Sequence, residues 1–227
     1  MSLDPITTGI FQHTAVDWRD ARVGTSLAPA ERFAAAFGNI PAAPVLAVGC
    51  DPWLLIPGLP GTVIGLDPVA EMLGLLAEHA PAALPVRAVA DGLPFATESI
   101  AGALGTKVFV QVDRPHLPMA LAELHRVVKV GGPIELQFFA GDQDLTPLEM
   151  DPLGGRRFTG WPADLLRSVV EGAGFDIEAL TIREDDQVGV IDITARRALT
   201  LPDIIGPGMR LLICGLNPSV YSAETLV

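Results

Sequence analysis

Two stretches decide the reading: PVLAVGC at 44–50 and TVIGLDPVAEMLGLLAEHA at 62–80. Each opens with a short apolar run of strand length, fit for a strand buried on both faces. The second run ends at Asp67-Pro68 and passes into helix-forming residues. Asp67 is read there as the N-cap and Pro68 as the first helical residue. Pro81 then stops the helix near Ala80.

The alternation continues outward. PVRAVA (85–90) reads as a third strand and IAGALG (100–105) as a fourth. LPMALAELHRVVKV (117–130) has helical periodicity and ends at Gly131-Gly132. PIELQFF (133–139) is a fifth strand. The segment 141–151 carries four acids and no base, which suggests a solvated loop. WPADLLRSVVEGAGF (161–175) is a helix closed by Gly174. FDIEALTI (175–182) and VGVIDITARR (188–197) then read as an antiparallel pair. Strands alternating with helices imply a Rossmann-like, doubly wound α/β fold. Its sheet is expected to be mostly parallel, seven-stranded, with an antiparallel last pair.

Residues 1–43 read as a lead-in with one helix, Pro29 to Phe37. Residues 44–198 form the α/β domain. Residues 199–227 stand apart: they hold one new strand, MRLLICG (209–215), then a loop. A lone strand cannot make its own domain, so this segment is expected to be incomplete.

Composition sets limits. The chain has 227 residues, 49% hydrophobic and 19% charged, enough for a sizeable core. Its formal net charge of -12 disfavours a nucleic-acid partner for residues 1–198. No run of about 18 uncharged apolar residues suggests a membrane span. The start lacks a basic region followed by an apolar stretch, so a cytoplasmic protein is expected. Cys50 and Cys214 lie far apart, and neither a disulfide framework nor a metal site is indicated.

The chain from Pro44 to Arg197 resembles class I S-adenosylmethionine-dependent methyltransferases, especially the small-molecule group. VLAVGC, VIGLDPVAEML, LPFATESI (93–100), ALAELHRVVKVGGPIELQFF (120–139), LLRSVVEGAGF (165–175) and ITARR (193–197) carry the resemblance by their order and spacing. It implies S-adenosylmethionine as cofactor, held at the carboxyl ends of the strands near the reversal of strand order. The matching positions are Gly49 and Cys50 after the first strand, Asp67 and Pro68 after the second, and Asp91, Gly92 and Leu93 after the third. Asp67 would take the ribose hydroxyls.

The sequence also departs from the family pattern. In the first loop Ala47 stands where the family has an acid, and Asp51 and Trp53 replace glycines. Each adds bulk where the backbone should pass close to a ligand. Pro52, Pro57 and Pro60 fall where the next helix belongs, at roughly 3 kcal/mol each in a helix interior. At most a short turn at Asp51-Pro52 is expected. After the third strand Val89 takes the usual acid's place, with Asp91 two residues on. Two readings stay open: methyl transfer to an unidentified small molecule, or a catalytically inactive module that kept the fold.

The tail, LPDIIGPGMRLLICGLNPSVYSAET, resembles the start of mismatch-specific uracil/thymine DNA glycosylases. There Asn217, in Gly215-Leu216-Asn217-Pro218, matches the asparagine that positions the attacking water. This resemblance implies a DNA-repair glycosylase domain that is cut short, and it motivates the inactive-module reading.

Among other polar residues, His116 follows Arg114-Pro115 and is a candidate for a general base. His125 reads as a surface residue. His13 and Trp18 could line a substrate pocket, or Trp18 could simply pack. Lys107 lies at the end of the fourth strand, near the expected site or merely solvated.

Overall fold

The computed structural model describes residues 4–21, 26–50, 56–149, 151–185 and 188–200. The expected turn at Asp51-Pro52, the strand at 209–215 and Asn217 lie outside these residues.

Two helices, α1 (Pro5–Ala21) and α2 (Ala28–Ala35), precede the sheet, where one was expected. The first was hidden because Gly9, Thr7, Thr8 and Val16 have modest helix propensity. Tertiary contacts and a cap make it. The Asp4 carboxylate accepts the Thr7 N–H at 3.0 Å, and Phe11 and Ala15 are buried. Inside α1, Thr14 departs from helical geometry (φ -123°, ψ 19°) while its hydroxyl donates to the Ile10 carbonyl.

The sheet is built from β1 (Val45–Val48), β2 (Val63–Asp67), β3 (Leu84–Arg87), β4 (Gly102–Gly105), β5 (Pro133–Ala140), β9 (Phe175–Asp185) and β10 (Val188–Arg197). Its order is β3-β2-β1-β4-β5-β10-β9. β1 to β5 are parallel, and β10 runs antiparallel to both β5 and β9. This is the expected doubly wound architecture. Strand order reverses between β1 and β4, and the crevice at the carboxyl ends opens there. Three short strands lie beyond this path. β6 (Thr146–Pro147) pairs with β7 (Arg157–Phe158), and β8 (Gly160–Trp161) adds to the end of β5.

Alternation in the strands sorts two faces. Leu46, Ile64, Leu136, Phe138 and Ile193 meet α4 (Leu117–Val127) and α5 (Ala163–Gly172) in one apolar cluster. Val45, Ala47, Val63 and Leu104 meet α1, α2 and α3 (Ala70–His79) in another. On that second face, β5 and β10 are polar. The Arg32 guanidinium bridges Glu135 and Asp192, Gln137 donates to Asp192 at 2.6 Å, and Thr194 donates to Glu135 at 2.7 Å. Arg183 closes the seam on Asp192 at 2.9 Å.

Element boundaries differ from the sequence reading for local reasons. Asp67 is not the cap of α3. It stays in β2, its carboxylate takes the Val69 N–H at 2.9 Å, and the helix begins at Ala70 with no side-chain cap. α4 ends at Val127 because Val128 turns extended and bridges Ile100. Gly132 follows, where a Cβ would lie 2.6 Å from the Ala101 carbonyl. In the 141–151 loop, Asp151 is buried against Arg156 and so is not solvated. Among the described residues no helix is long and apolar enough to cross a membrane.

Candidate functional site

At the end of β1, Gly49 adopts φ +71°, and its N–H donates to the Leu66 carbonyl at 2.8 Å. A Cβ here would stand 2.7 Å from Val108 Cγ2. Two independent demands therefore select glycine: the left-handed backbone and the Val108 side chain. Cys50 follows as a fully buried thiol, its Sγ 4.0 Å from Asp67 Oδ2 and from the Met72 carbonyl. Its side chain is core packing.

Asp67 ends β2 one strand over. Burial pushes its carboxyl up to about 7, only partly offset by the N–H groups of Val69 and Cys50. Among the described residues no cation is paired with it. Pro68 lends its carbonyl to Arg87 at 3.0 Å. Ala47, where the family has an acid, is fully buried in the apolar cluster behind β1. A carboxylate there would be uncompensated.

The third stretch, Asp91-Gly92-Leu93, follows β3 and is pinned from α4. Glu123 accepts the Leu93 N–H at 2.8 Å. Arg126 donates to the carbonyls of Leu93 (2.9 Å) and Phe95 (2.7 Å), and pairs with Glu123 at 2.7 Å. The guanidinium holds the Glu123 carboxyl below its ordinary range, opposed by burial and the nearby Asp91 charge. Sequence reasoning missed both residues. Their signal was the Glu-x-x-Arg spacing on one helix face.

Between β4 and α4 the chain crosses the carboxyl edge of the sheet. Lys107 takes a positive φ of 54°, rare for a lysine. That sharp turn drops Val108 over Gly49 and leads into a short 3-10 turn, Phe109–Gln111. Arg114 then donates to the Gly160 carbonyl at 2.8 Å, its guanidinium 5.4 Å from the Trp161 ring centre. His116 Nδ1 is hydrogen-bonded to Asp113 Oδ1. Thr106 Oγ1 and Trp161 Nε1 are buried without a hydrogen-bond partner among the described residues.

The structure thus gathers Gly49, Asp67, Asp91, Gly92, Leu93, Lys107 and His116 onto strand ends and the loops that follow them. Cys50 and Pro68 lie beside them, just after β1 and β2, whereas His125, His13 and Trp18 lie elsewhere. His125 is half-buried, edge-on to Phe175, with its carbonyl held by Arg197 at the opposite end of the sheet. His13 is exposed and bonded to its own helix at Gly9. Trp18 packs: it meets Phe11 edge-on and lies 4.2 Å from the Arg156 guanidinium. Asp51 and Trp53 lie outside the described residues. Among the described residues no three His, Cys, Asp or Glu cluster as a metal site would need.

Residues 46–136, from β1 into β5, match the family model described as a methyltransferase domain. No curated protein matches the chain. Among solved structures, the fold is shared with magnesium protoporphyrin IX methyltransferase from Synechocystis with bound S-adenosylmethionine. The two are 16% identical, with 85% of this chain and 96% of that one covered at a TM-score of 0.67. It is also shared with 1,6-didemethyltoxoflavin-N1-methyltransferase from Burkholderia thailandensis with bound 1,6-didemethyltoxoflavin and S-adenosylhomocysteine. There identity is 18%, coverage 85% and 88%, and the TM-score 0.65. A [4+2]-cyclase is as similar in shape, at 11% identity, 86% and 97% coverage and a TM-score of 0.67. These likenesses establish the Rossmann-like methyltransferase fold.

Proposed function

We propose that the chain binds S-adenosylmethionine across the β1–β4 crevice and transfers its methyl group to a small molecule. The observation that carries this reading is Asp67. It is a buried carboxyl with no cation paired to it among the described residues, at the end of β2 and one strand from a left-handed glycine. A buried acid in that state has hydrogen-bonding capacity left over. A vicinal diol supplies neutral donors that would use it. The family match and the cofactor-bound relatives of the same fold support the reading.

Gly49 would let the backbone approach the cofactor, Asp67 would hold its ribose, and Asp91-Gly92-Leu93 would flank its base. When bound, the cofactor supplies an electrophilic methyl group on a sulfonium. The chain itself orients the two reactants and keeps water out, which shortens the path to an in-line geometry. Val108, Phe109 and Trp161 provide apolar walls at the strand ends.

Calorimetric titration with S-adenosylhomocysteine tests this. Binding in the micromolar range is expected for wild-type protein, with D67A weakened at least tenfold. No heat at millimolar ligand would overturn the reading. The inactive-module alternative, suggested by Asp51, Trp53 and the glycosylase-like tail, would then gain.

A further inference from the structure

We infer that His116, oriented by Asp113, is the general base of the methyl transfer, and that the acceptor is an acidic hydroxyl of the phenol or enol class. This deepens the methyl-transfer reading and rests on it.

The segment from Thr106 to His116 spans the carboxyl edge of the sheet. Val108 seats against Gly49 at one end, and Arg114 binds the carbonyls of Gly160 and Gly141 at the other. His116 therefore stands at the rim where an acceptor would approach. Its Nδ1 faces Asp113 Oδ1, which as a carboxylate can only accept, so the neutral ring carries its proton on Nδ1. Nε2 is left as an acceptor with no partner among the described residues. The imidazole side chain is 40% exposed, so a proton taken up there can pass to water. That is the arrangement of a base held by a third group.

Arg114 selects the acceptor's chemistry. Among the described residues its guanidinium meets one carboxylate, the exposed Asp142 at 3.9 Å, besides backbone carbonyls and the Trp161 ring; Asp144 binds its main-chain N–H. A positive charge there favours an oxygen that becomes anionic and disfavours an amine that becomes cationic. Thr106 Oγ1 and Trp161 Nε1, donors without a partner among the described residues, sit at the same strand ends and are available to such an oxygen. In the step, the hydroxyl proton moves to Nε2. The oxygen's electron pair forms the bond to the methyl carbon. The carbon–sulfur bond breaks with its pair left on sulfur, which cancels the sulfonium charge.

The test has separable arms. Titration with S-adenosylhomocysteine comes first, since failure there removes the methyl-transfer reading itself. Protein with S-adenosylmethionine is then given phenol or 4-nitrophenol at about pH 8, where an unsubstituted phenol keeps its proton and the nitro compound is largely ionised. Wild type should methylate both. H116Q should lose about 10²- to 10⁴-fold on phenol and stay within a few-fold on the nitrophenolate. Equal losses on both, or no methylation of either by a wild type that binds the cofactor product, overturn the inference. Independently, nitrogen NMR of the ligand-free protein should show the Nδ1–H tautomer at His116. D113N should shift it toward Nε2–H, and D113E should restore it. The opposite tautomer in wild type would also overturn the assignment. Circular dichroism melts check that each variant is folded.

Discussion

Asp67 and Gly49 each trade stability for position, and both trades can be measured. The carboxyl of Asp67 is shifted from an ordinary 3.8 to about 7. Its folded value lies above the unfolded one, so the folded chain holds an extra proton between those limits. Stability therefore falls as pH rises through that window and is flat above it. At about 1.4 kcal/mol per unit, the cost is at most a few kcal/mol. D67N should lack this slope. Urea unfolding should place it level with wild type near the acid end of the window and above it at about pH 8. Gly49→Ala meets both the left-handed backbone and Val108 at 2.7 Å. A loss of about 2–3 kcal/mol in urea unfolding is expected. V108A should recover the steric part and leave the backbone part, a non-additive cycle. The sequence named both residues from their place after a strand. It could not show Val108, because that contact depends on a turn at Lys107 fifty-eight residues further on.

Elements were more legible than their ends. Apolar runs located β1, β2, β4 and β5, since strands buried on both faces leave little room for anything else. The same runs concealed the seam between β5 and β10: PIELQFF reads as apolar, yet Glu135 and Gln137 share a face with Asp192 under α2. Burial raises the Glu135 carboxyl, and Arg32 opposes that shift by pairing with it. Arg32→Met would leave two buried carboxylates facing one another. With Arg32 partly exposed, a loss of about 2–3 kcal/mol is expected. The deficit should shrink toward acid pH as Glu135 takes up its proton, which thermal melts across pH would show. On α4, Arg126→Met would release the Leu93 and Phe95 carbonyls. S-adenosylhomocysteine affinity should fall about tenfold, the scale of lost positioning contacts, while the melting temperature changes little.

At the scale of the molecule, the lead-in is part of the packing around the sheet. Arg156 lies within 5.2 Å of the rings of Phe11 and Phe158 as well as against Trp18, with its charge answered by Asp151. Arg157, next in sequence, is tied to Asp4 and Thr7. Deleting residues 4–21 should therefore uncover an apolar face. Increased dye binding and faster amide exchange in 151–158 would report it; unchanged exchange there would count against this account. Composition alone could not place α1, because its partners are remote in sequence: α3 lies about 60 residues on and the 151–158 segment about 140. The outermost strand carries a different consequence. β9 ends the sheet order, so one side of its backbone has no strand partner among the described residues. Asp176, Glu178, Arg183 and Glu184 stand exposed along it. Charges of that density penalise the approach of a second chain edge to edge. Replacing Asp176, Glu178 and Glu184 with threonine would leave the fold intact and turn a dispersed protein into one that self-associates, visible as a concentration-dependent rise in light scattering.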